Sequence, residues 1–256
     1  MAALRGEQRD WHDLGLLDPE YMMLTDPAVD SRDLDSFFAT GKVQVTRIME
    51  TAGQLGAAPV GRAAALDFGC GVGRLTRALA EHFDLVWGVD IAPSLIARAS
   101  QLNSPFARCS FAVNATADLR MFSDAQFDLV YSELVLQHCP STRTILSYVE
   151  EFLRVTKPSG LVVFQLPSSI PWRQRLQPRR RAYGVLRQLG VGREFLYRRL
   201  RLHPVRMNSV PQKTMKTALA LMGATTVHIE ANDERPESRA IRSRRYFVTP
   251  ASTSSN

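Results

Sequence analysis

A-A-A-L-D-F-G-C-G-V-G-R-L, residues 63–75, is the stretch of this chain that decides the fold. An apolar run, an acid and three glycines at alternate positions precede a helix-forming segment, which predicts a buried parallel strand that turns tightly into a helix. Gly69, Gly71 and Gly73 have no Cβ, so the main chain can adopt φ values closed to other residues and approach a ligand. The next helix points its unpaired N–H groups and positive dipole end at the same place. We therefore expect a ligand at this turn.

The spacing of the glycines separates two classes of ligand. A dinucleotide fingerprint reads G-x-G-x-x-G, and its sixth position here is Arg74, which weakens that interpretation. The pattern present, D-x-G-x-G-x-G, resembles motif I of the Rossmann-like, class I S-adenosylmethionine-dependent methyltransferases. Within that family the chain is similar to the type 11 members that act on small molecules. The resemblance implies S-adenosyl-L-methionine as the cofactor, with Asp67, Gly69, Gly71 and Gly73 in its binding site.

A second acid supports an adenosine-containing ligand. Asp90 ends the apolar segment L-V-W-G-V and lies 21 residues after Gly69. This is close to the spacing of about 20 residues at which such an acid hydrogen-bonds ribose hydroxyls. The alternative is a surface aspartate that caps the helix beginning near Pro93.

Three further segments extend the resemblance. V-N-A-T-A-D-L, residues 113–119, is similar to the family's adenine-binding segment, which implies Asn114 and Asp118, although the family often has an acid at the position of Ala115. F-D-L-V and K-P-S-G-L-V-V-F resemble the family's fourth strand and the turn before its fifth strand. Ser132, at the end of the predicted fourth strand, is also assigned to the cofactor site.

The segment after the fourth strand, E-L-V-L-Q-H-C-P, reaches over the carboxyl ends of the strands, where open α/β sheets bind ligands. His138 is the best candidate for a general base, because imidazole titrates near neutral pH. Glu133 is a weaker candidate, as is Tyr131. A structural hydrogen bond is an equally good interpretation of His138. The family's N-P-P-Y motif for exocyclic amines is replaced by S-E-L-V, which disfavours methylation of nucleic-acid bases.

Composition sets the class of protein. The chain has 256 residues and 45% hydrophobic content, enough for a full core. No apolar h-region or window of about 18 apolar residues occurs, so we expect a cytoplasmic protein without a membrane span. Cys70, Cys109 and Cys139 form no C-x-x-C pair, so neither a disulfide framework nor a metal site is expected.

The order of predicted elements matches the family's seven-stranded, mostly parallel sheet, in which an antiparallel last strand inserts between its predecessors. We expect an N-terminal helical cap over residues 1–60, a methyltransferase domain over 61–250 and a disordered tail over 251–256. Residues 1–30 predict short helices and turns, including Asp18-Pro19 and Asp26-Pro27. A helix from Leu34 is expected to break at Thr40-Gly41, with Phe37 and Phe38 in the core or against the cofactor.

The insert, residues 167–208, carries the basic charge of the chain. It has eleven arginines, no lysine and one acid, so its charge is +10 and the rest of the chain has +7 − 10 = −3. We predict an Arg-rich helical lid, jointed at Gly184, Gly190 and Gly192. Its predicted buried face consists of Leu186, Leu189, Phe195, Leu196, Leu200 and Leu202. Three interpretations of the arginines stay open. They form a solvated outer face, or some of Arg173, Arg175 and Arg179 to Arg181 attract an anionic acceptor, or they bind a membrane surface or RNA.

Three functions follow from these patterns. The first is methyl transfer to a small-molecule or glycan acceptor, at a hydroxyl oxygen. The second is an RNA methyltransferase or nucleic-acid-binding protein that uses the arginines. The third, an NAD-dependent oxidoreductase, is opposed by Arg74 and by the lack of a Y-x-x-x-K pair. The identity of the acceptor and the oligomeric state stay open.

Overall fold

The computed structural model describes residues 2–17, 33–232 and 241–251. The predicted turns at Asp18-Pro19 and Asp26-Pro27, and residues 252–256 of the predicted tail, lie outside the described residues. Residues 2–17 form one long helix where the sequence predicts short ones. The helices are α1 (Ala2–Leu17), α2 (Leu34–Gln54), α3 (Arg74–Leu79), α4 (Pro93–Leu102), α5 (Thr142–Val155), α6 (Trp172–Arg175), α7 (Pro178–Gln188), α8 (Arg193–Arg198) and α9 (Gln212–Leu221), with a 3-10 helix at Leu136–His138.

The described strands are β1 (Ala64–Phe68), β2 (Leu85–Asp90), β3 (Cys109–Val113), β4 (Phe127–Ser132), β5 (Thr156–Ser169), β6 (Thr225–Ala231) and β7 (Arg242–Thr249). These seven strands form one sheet in the order β3-β2-β1-β4-β5-β7-β6. The first five and β6 share one direction, and β7 pairs antiparallel with both β5 and β6. The predicted mostly parallel sheet with an inserted antiparallel last strand is therefore confirmed.

Helices cover both faces of the sheet, which is why β1 and β4 are buried along their whole length. One core cluster joins the sheet to α5 and α9, and a second joins it to α2 and α3. Chain order reverses between β1 and β4, so the loops after these strands diverge and leave a crevice at their carboxyl ends. The candidate site residues lie at this edge.

The predicted break at Thr40-Gly41 is wrong, because α2 runs through it without interruption. A Cβ on Gly41 would lie 2.5 Å from the main-chain oxygen of Arg74. The glycine therefore allows α2 to cross closely over the start of α3.

The predicted K-P-S-G turn is incorporated in the sheet. β5 begins at Thr156, which pairs with Phe127, and pairing resumes at Leu161 opposite Leu129. The residues between them form an irregularity in the ladder, so the strand is longer than predicted.

The predicted buried face of the insert is mostly wrong. Leu196 is fully buried, but Leu189 is 73% and Phe195 53% exposed. Helix α7 turns Tyr183 inward, and no described element covers its other side. Each of the three short helices thus leaves one large apolar side chain at the surface, namely Trp172, Val185 and Phe195.

Candidate functional site

The turn from β1 to α3 has the positive φ values that the glycines predict. Gly69, Gly71 and Gly73 have φ values of 78°, 55° and 86°, in the left-handed region that favours glycine. The Gly69 and Cys70 N–H groups both donate to the Val89 oxygen, at 2.7 and 3.0 Å. These bonds attach the turn to the end of β2.

The three glycines do not serve the same purpose. A Cβ on Gly69 would overlap the side chain of Val135, and one on Gly73 would lie 2.6 Å from Asn103 Nδ2. The glycine pattern predicts close approach of a ligand at all three positions. At Gly69 and Gly73 the close neighbour is protein.

Asp90 connects the end of β2 to the glycine turn. Its Oδ2 accepts from the Gly71 N–H at 3.0 Å and its Oδ1 accepts from the Ala92 N–H at 2.9 Å. Burial raises the pKa of Asp90, and these backbone N–H bonds oppose the rise. Each carboxylate oxygen has a further lone pair, so the side chain can accept additional hydrogen bonds.

Asp67 lies beneath the turn, where it is 1% exposed. Its Oδ2 accepts from the Thr76 hydroxyl at 2.6 Å, which joins β1 to the first turn of α3. Burial raises the pKa of Asp67 to about 6, against the opposing hydrogen bond from Thr76. The Asp67 carboxylate is thus in contact with α3.

Asn114 and Asp118 shape the loop after β3. Asn114 Oδ1 accepts from the Thr116 hydroxyl at 2.9 Å, and its Nδ2 donates to the Asp118 main-chain oxygen at 3.1 Å. Tyr148 of α5 donates to the Thr116 oxygen at 2.6 Å and holds the loop from below. The Asn114 N–H donates to the main-chain oxygen of Asp90 at 2.9 Å, so this loop lies next to Asp90.

Ser132 ends β4 at the same edge. Its hydroxyl is fully buried and has no hydrogen-bond partner among the described residues. Leu134, two residues later, has a φ of 60°, a value uncommon for a residue with a Cβ. Its N–H donates to Gln165 Oε1 at 3.0 Å, which holds this strained loop against β5. Strain of this kind clusters at functional sites.

Glu133 belongs to a buried ionic network. Its carboxylate pairs with Arg245 Nη2 at 3.1 Å and accepts from Asn232 Nδ2 at 2.8 Å and from the Tyr131 hydroxyl at 3.1 Å. Arg245 also contacts Glu230 at 2.6 Å. Three donors surround the Glu133 carboxylate, which suits an anchor for the loop better than the base suggested by the sequence.

The network continues to the N-terminal cap. Tyr131 accepts from Gln44 Nε2 at 2.8 Å, and Gln44 Oε1 accepts from Arg74 Nη2 at 2.9 Å. Arg74 is the residue after the last glycine of the turn, so α2, the glycine turn and β4 are joined by side-chain hydrogen bonds. Phe37 and Phe38 are buried against Val72 in the middle of that turn.

His138 ends the 3-10 helix above this edge. Its Nδ1 lies 2.6 Å from the Arg206 main-chain oxygen, which can only accept, so Nδ1 carries the proton. In the neutral ring Nε2 is then the acceptor, and it lies 3.2 Å from Gln137 Nε2. The Trp11 ring packs edge-on against the imidazole at 5.2 Å between centroids.

Helix α1 and the insert meet over His138. Arg206 pairs with Glu7 and Arg193 pairs with Asp13, so the acidic side of α1 faces the basic insert. Burial, followed by the nearby Glu7 carboxylate, raises the pKa of Asp10 to about 6. The insert is attached at its C-terminal end as well, where the Asn208 N–H donates to the Gln137 oxygen at 2.8 Å.

Sequence reasoning missed Arg245, Asn232 and Gln165, which hold the loop after β4. An arginine in the last predicted strand resembles any charged edge residue, and its partner Glu133 lies 112 positions away. The only sequence signal for this pair is the position of Glu133 directly after a buried strand, where a carboxylate needs a cationic partner.

A protein-family comparison identifies residues 66–164 as a methyltransferase domain. This range contains the glycine turn, Asp90, Ser132 and His138. This part of the chain therefore matches a methyltransferase domain. Solved structures that share its Rossmann-like fold include methyltransferases, among them one named as SAM-dependent.

Two curated relatives overlap the methyltransferase domain. The 2-methyl-6-phytyl-1,4-hydroquinone methyltransferase of Synechocystis is 34% identical over 139 residues, which cover 54% of this chain and 41% of the relative. Trans-aconitate 2-methyltransferase of Streptomyces avermitilis is 33% identical over 106 residues, 40% of this chain and 38% of the relative. The chain thus matches about two fifths of each relative's length.

Solved structures match a larger part of the chain. The magnesium protoporphyrin IX methyltransferase of Synechocystis, solved with bound SAH, covers 97% of this chain and 100% of its own with a TM-score of 0.62 at 18% identity. The DhpI–SAH complex covers 98% of both chains with a TM-score of 0.59 at 17% identity. At these identities the likeness concerns the fold.

Proposed function

We propose that this protein is an S-adenosylmethionine-dependent methyltransferase that transfers a methyl group to a hydroxyl of a small-molecule or glycan acceptor. The observation that carries the proposal is the hydrogen bond between Gly71 and Asp90 at the carboxyl edge of β1 and β2. It places a glycine turn, a helix N-terminus and a carboxylate around one crevice of the methyltransferase domain.

The residues at this edge fit such a cofactor. Asp90 would accept from ribose hydroxyls with its remaining lone pairs, and the loop of Asn114 and Asp118 would border the adenine. The buried Ser132 hydroxyl has no hydrogen-bond partner within the described part of the chain and would donate to or accept from the ligand. Gly71 gives the ligand access to main chain, and Asp67, Gly69 and Gly73 hold the turn in position. When bound, the cofactor supplies a methyl group on a positively charged sulfur.

His138 is proposed as the base that accepts the acceptor's proton. The Arg206 oxygen holds the proton on Nδ1, so the lone pair is on Nε2, where the acceptor hydroxyl would replace the hydrogen bond from Gln137 Nε2. Trp11 limits the movement of the ring from one side. In this role His138 would remove the proton from a hydroxyl as the oxygen attacks the methyl carbon, while α1 and the insert exclude water.

A small acceptor is supported by the names of the relatives, which act on a substituted hydroquinone, on trans-aconitate and on magnesium protoporphyrin IX. The insert and α1 would form the acceptor side of the crevice. Arg180 is half-buried near Asp10, whereas Arg173, Arg175, Arg179 and Arg181 are exposed.

The cofactor is tested by calorimetric titration with S-adenosylhomocysteine and, separately, NADH. We expect the wild-type protein to bind the first and not the second. Asp90→Asn should weaken binding by about 1.5–3 kcal/mol, the range for a charge-assisted hydrogen bond lost from one side. Asp84→Asn, an exposed acid just before β2, is the matched control. NADH binding alone would refute the proposal, and unchanged affinity in Asp90→Asn would remove the ribose contact.

A further inference from the structure

Exposed apolar side chains concentrate on the insert. Among the described residues, thirteen large hydrophobic side chains are exposed, and six of them lie between residues 172 and 200. Trp172 is 67% and Leu189 is 73% exposed. The full set is Trp172, Leu176, Val185, Leu189, Phe195 and Leu200. Several large exposed apolar side chains within one segment make it a candidate interaction surface.

The arginines of the insert divide into two groups. Arg193 and Arg206 pair with acids of α1, Arg180 donates to the Pro204 oxygen at 3.1 Å and Arg187 donates to the Val191 oxygen at 2.7 Å, so these four are engaged within the protein. The other group is exposed and lies among the apolar side chains: Arg173, Arg175, Arg179, Arg181, Arg198, Arg199 and Arg201. The outer surface of the insert is therefore apolar and cationic together.

The two kinds of side chain alternate along the helices. Arg181, Val185 and Leu189 follow one another at intervals of four residues along α7 and its C-cap, opposite the buried Tyr183. Arg173 lies over the Trp172 ring at 5.4 Å in α6. Each helix thus presents apolar groups with guanidinium groups beside them. We call this surface the outer face of the insert.

We infer that the outer face of the insert docks on the surface of an anionic lipid bilayer. Its exposed arginines complement negatively charged headgroups, and the apolar side chains between them are placed to enter the headgroup–acyl boundary. Long arginine side chains can extend to the phosphates while their stems and neighbours enter the apolar layer. Within the described residues no helix is long and apolar enough to cross a bilayer, so the contact is peripheral.

The apolar groups favour a bilayer over a nucleic acid. Four of the six are aliphatic, and single-stranded nucleic acid is bound through aromatic stacking platforms combined with positive charge. Burial of the leucine and valine side chains beside these arginines requires an apolar environment, which the acyl layer of a bilayer supplies. Glu194 is the single acid of the insert, so the surface carries almost no negative charge that would repel anionic headgroups.

Docking would bring the site close to the lipid. Arg206 and Asn208, at the end of the insert, hydrogen-bond to His138 and Gln137 through main-chain atoms. A bilayer at the outer face would then lie beside the acceptor side of the crevice. This consequence rests on the proposed function, whereas the docking itself does not.

The first experiment is flotation of the full chain with vesicles of phosphatidylcholine alone or mixed with phosphatidylglycerol. We expect binding to the mixed vesicles only, with a decrease as salt rises. Arg179→Gln with Arg181→Gln should weaken it by roughly fivefold for each arginine. Leu189→Glu should weaken it at least as much, and Leu221→Glu, 84% exposed on α9, should not. An equal loss in Leu221→Glu, or no binding to either vesicle, would overturn the proposal.

The second experiment uses Trp172 as an internal probe. Brominated lipids should quench the fluorescence of wild-type protein bound to mixed vesicles, and Trp172→Phe should remove most of that quenching, because Trp11 and Trp87 are partly buried. Quenching that persists in Trp172→Phe would contradict docking through this face. RNA that displaces the protein from vesicles and binds more tightly would assign the surface to nucleic acid instead. Loss of S-adenosylhomocysteine binding would refute the proposed function without affecting either vesicle result.

Discussion

At the scale of single residues, His138 shows how a side chain can be held for chemistry by the main chain. The Arg206 oxygen selects the protonated nitrogen, and Trp11 limits the orientation of the ring. The same contacts also suit a structural histidine that holds the insert. A substitution that keeps one contact and removes the base separates the two roles.

His138→Asn is that substitution, because the asparagine Nδ2 takes the place of Nδ1 and keeps the donor to the Arg206 oxygen. If His138 is the base, kcat should fall by about 10²-fold or more in both His138→Asn and His138→Ala. The rate should also lose its decrease toward acidic pH, since no imidazole remains to be protonated. Affinity for S-adenosylhomocysteine should not change. A nearly normal kcat in His138→Asn alone would assign His138 a structural role.

Asp67 is expected to destabilise the folded protein at neutral pH. Burial raises its pKa from 3.8 to about 6, so between these values the native state keeps a proton that the unfolded state has lost. The contribution of Asp67 to the free energy of unfolding therefore falls as pH rises from 3.8 to about 6, and it stays low at higher pH. Asp67→Asn, which can still accept from Thr76, should raise the free energy of unfolding above pH 6 by up to about 3 kcal/mol.

The gain from Asp67→Asn should vanish below pH 3.8, where the wild-type carboxyl is neutral in both states. Urea unfolding without ligand at several pH values measures it. A gain independent of pH would show that ionisation of Asp67 is not the cause.

At the scale of elements, helix α2 is positioned by one missing side chain. Gly41 lies where α2 crosses Arg74 at the start of α3, and this contact brings Phe37 and Phe38 against the glycine turn. The helix continues through a residue of poor helix propensity because packing of its apolar face outweighs that cost.

Gly41→Ala should therefore destabilise the protein by about 1–3 kcal/mol, the usual cost of overpacking. Gly53→Ala in the same helix is the matched control, because nothing lies within 4 Å of the added Cβ. That change should stabilise the protein by about 0.5–1 kcal/mol through helix propensity. Thermal or urea unfolding compares the two, and a gain in stability for Gly41→Ala would show that the helices can separate without cost.

At the scale of the whole molecule, the buried network joins the middle of the chain to its last two strands. Glu133 after β4 meets Arg245 of β7, and Asn232 after β6 bonds to both. The loop of the candidate site is thereby attached to the last two strands. A buried ion pair adds little net stability, but loss of one member leaves a charge without a partner.

Arg245→Met should cost about 3–5 kcal/mol, because Glu133 stays buried and unpaired. The double variant Glu133→Gln with Arg245→Met should recover most of that loss. Unfolding of the wild type, both single variants and the double variant completes a double-mutant cycle. Additive losses would show that the two side chains do not interact in solution.

The sequence by itself predicted the order of elements along the chain and the turn at residues 69–73, and its resemblance to the methyltransferase family implied the inserted antiparallel last strand. The elements and the turn depend on local patterns: apolar runs, glycines that permit positive φ, and acids at strand ends. The same patterns placed the ten candidate site residues at one edge of the sheet, and their roles toward a ligand stay predictions.

Only the tertiary structure decided which partner each of these side chains meets. Glu133 is held by an arginine 112 residues away, His138 by a main-chain oxygen of the insert, and Gly41 by the crossing of two helices. It also decided which residues of the insert are exposed, because the buried side of a short helix depends on the elements that pack against it. Contacts between residues distant in sequence arise from packing of the complete chain, and a local pattern contains no information about them.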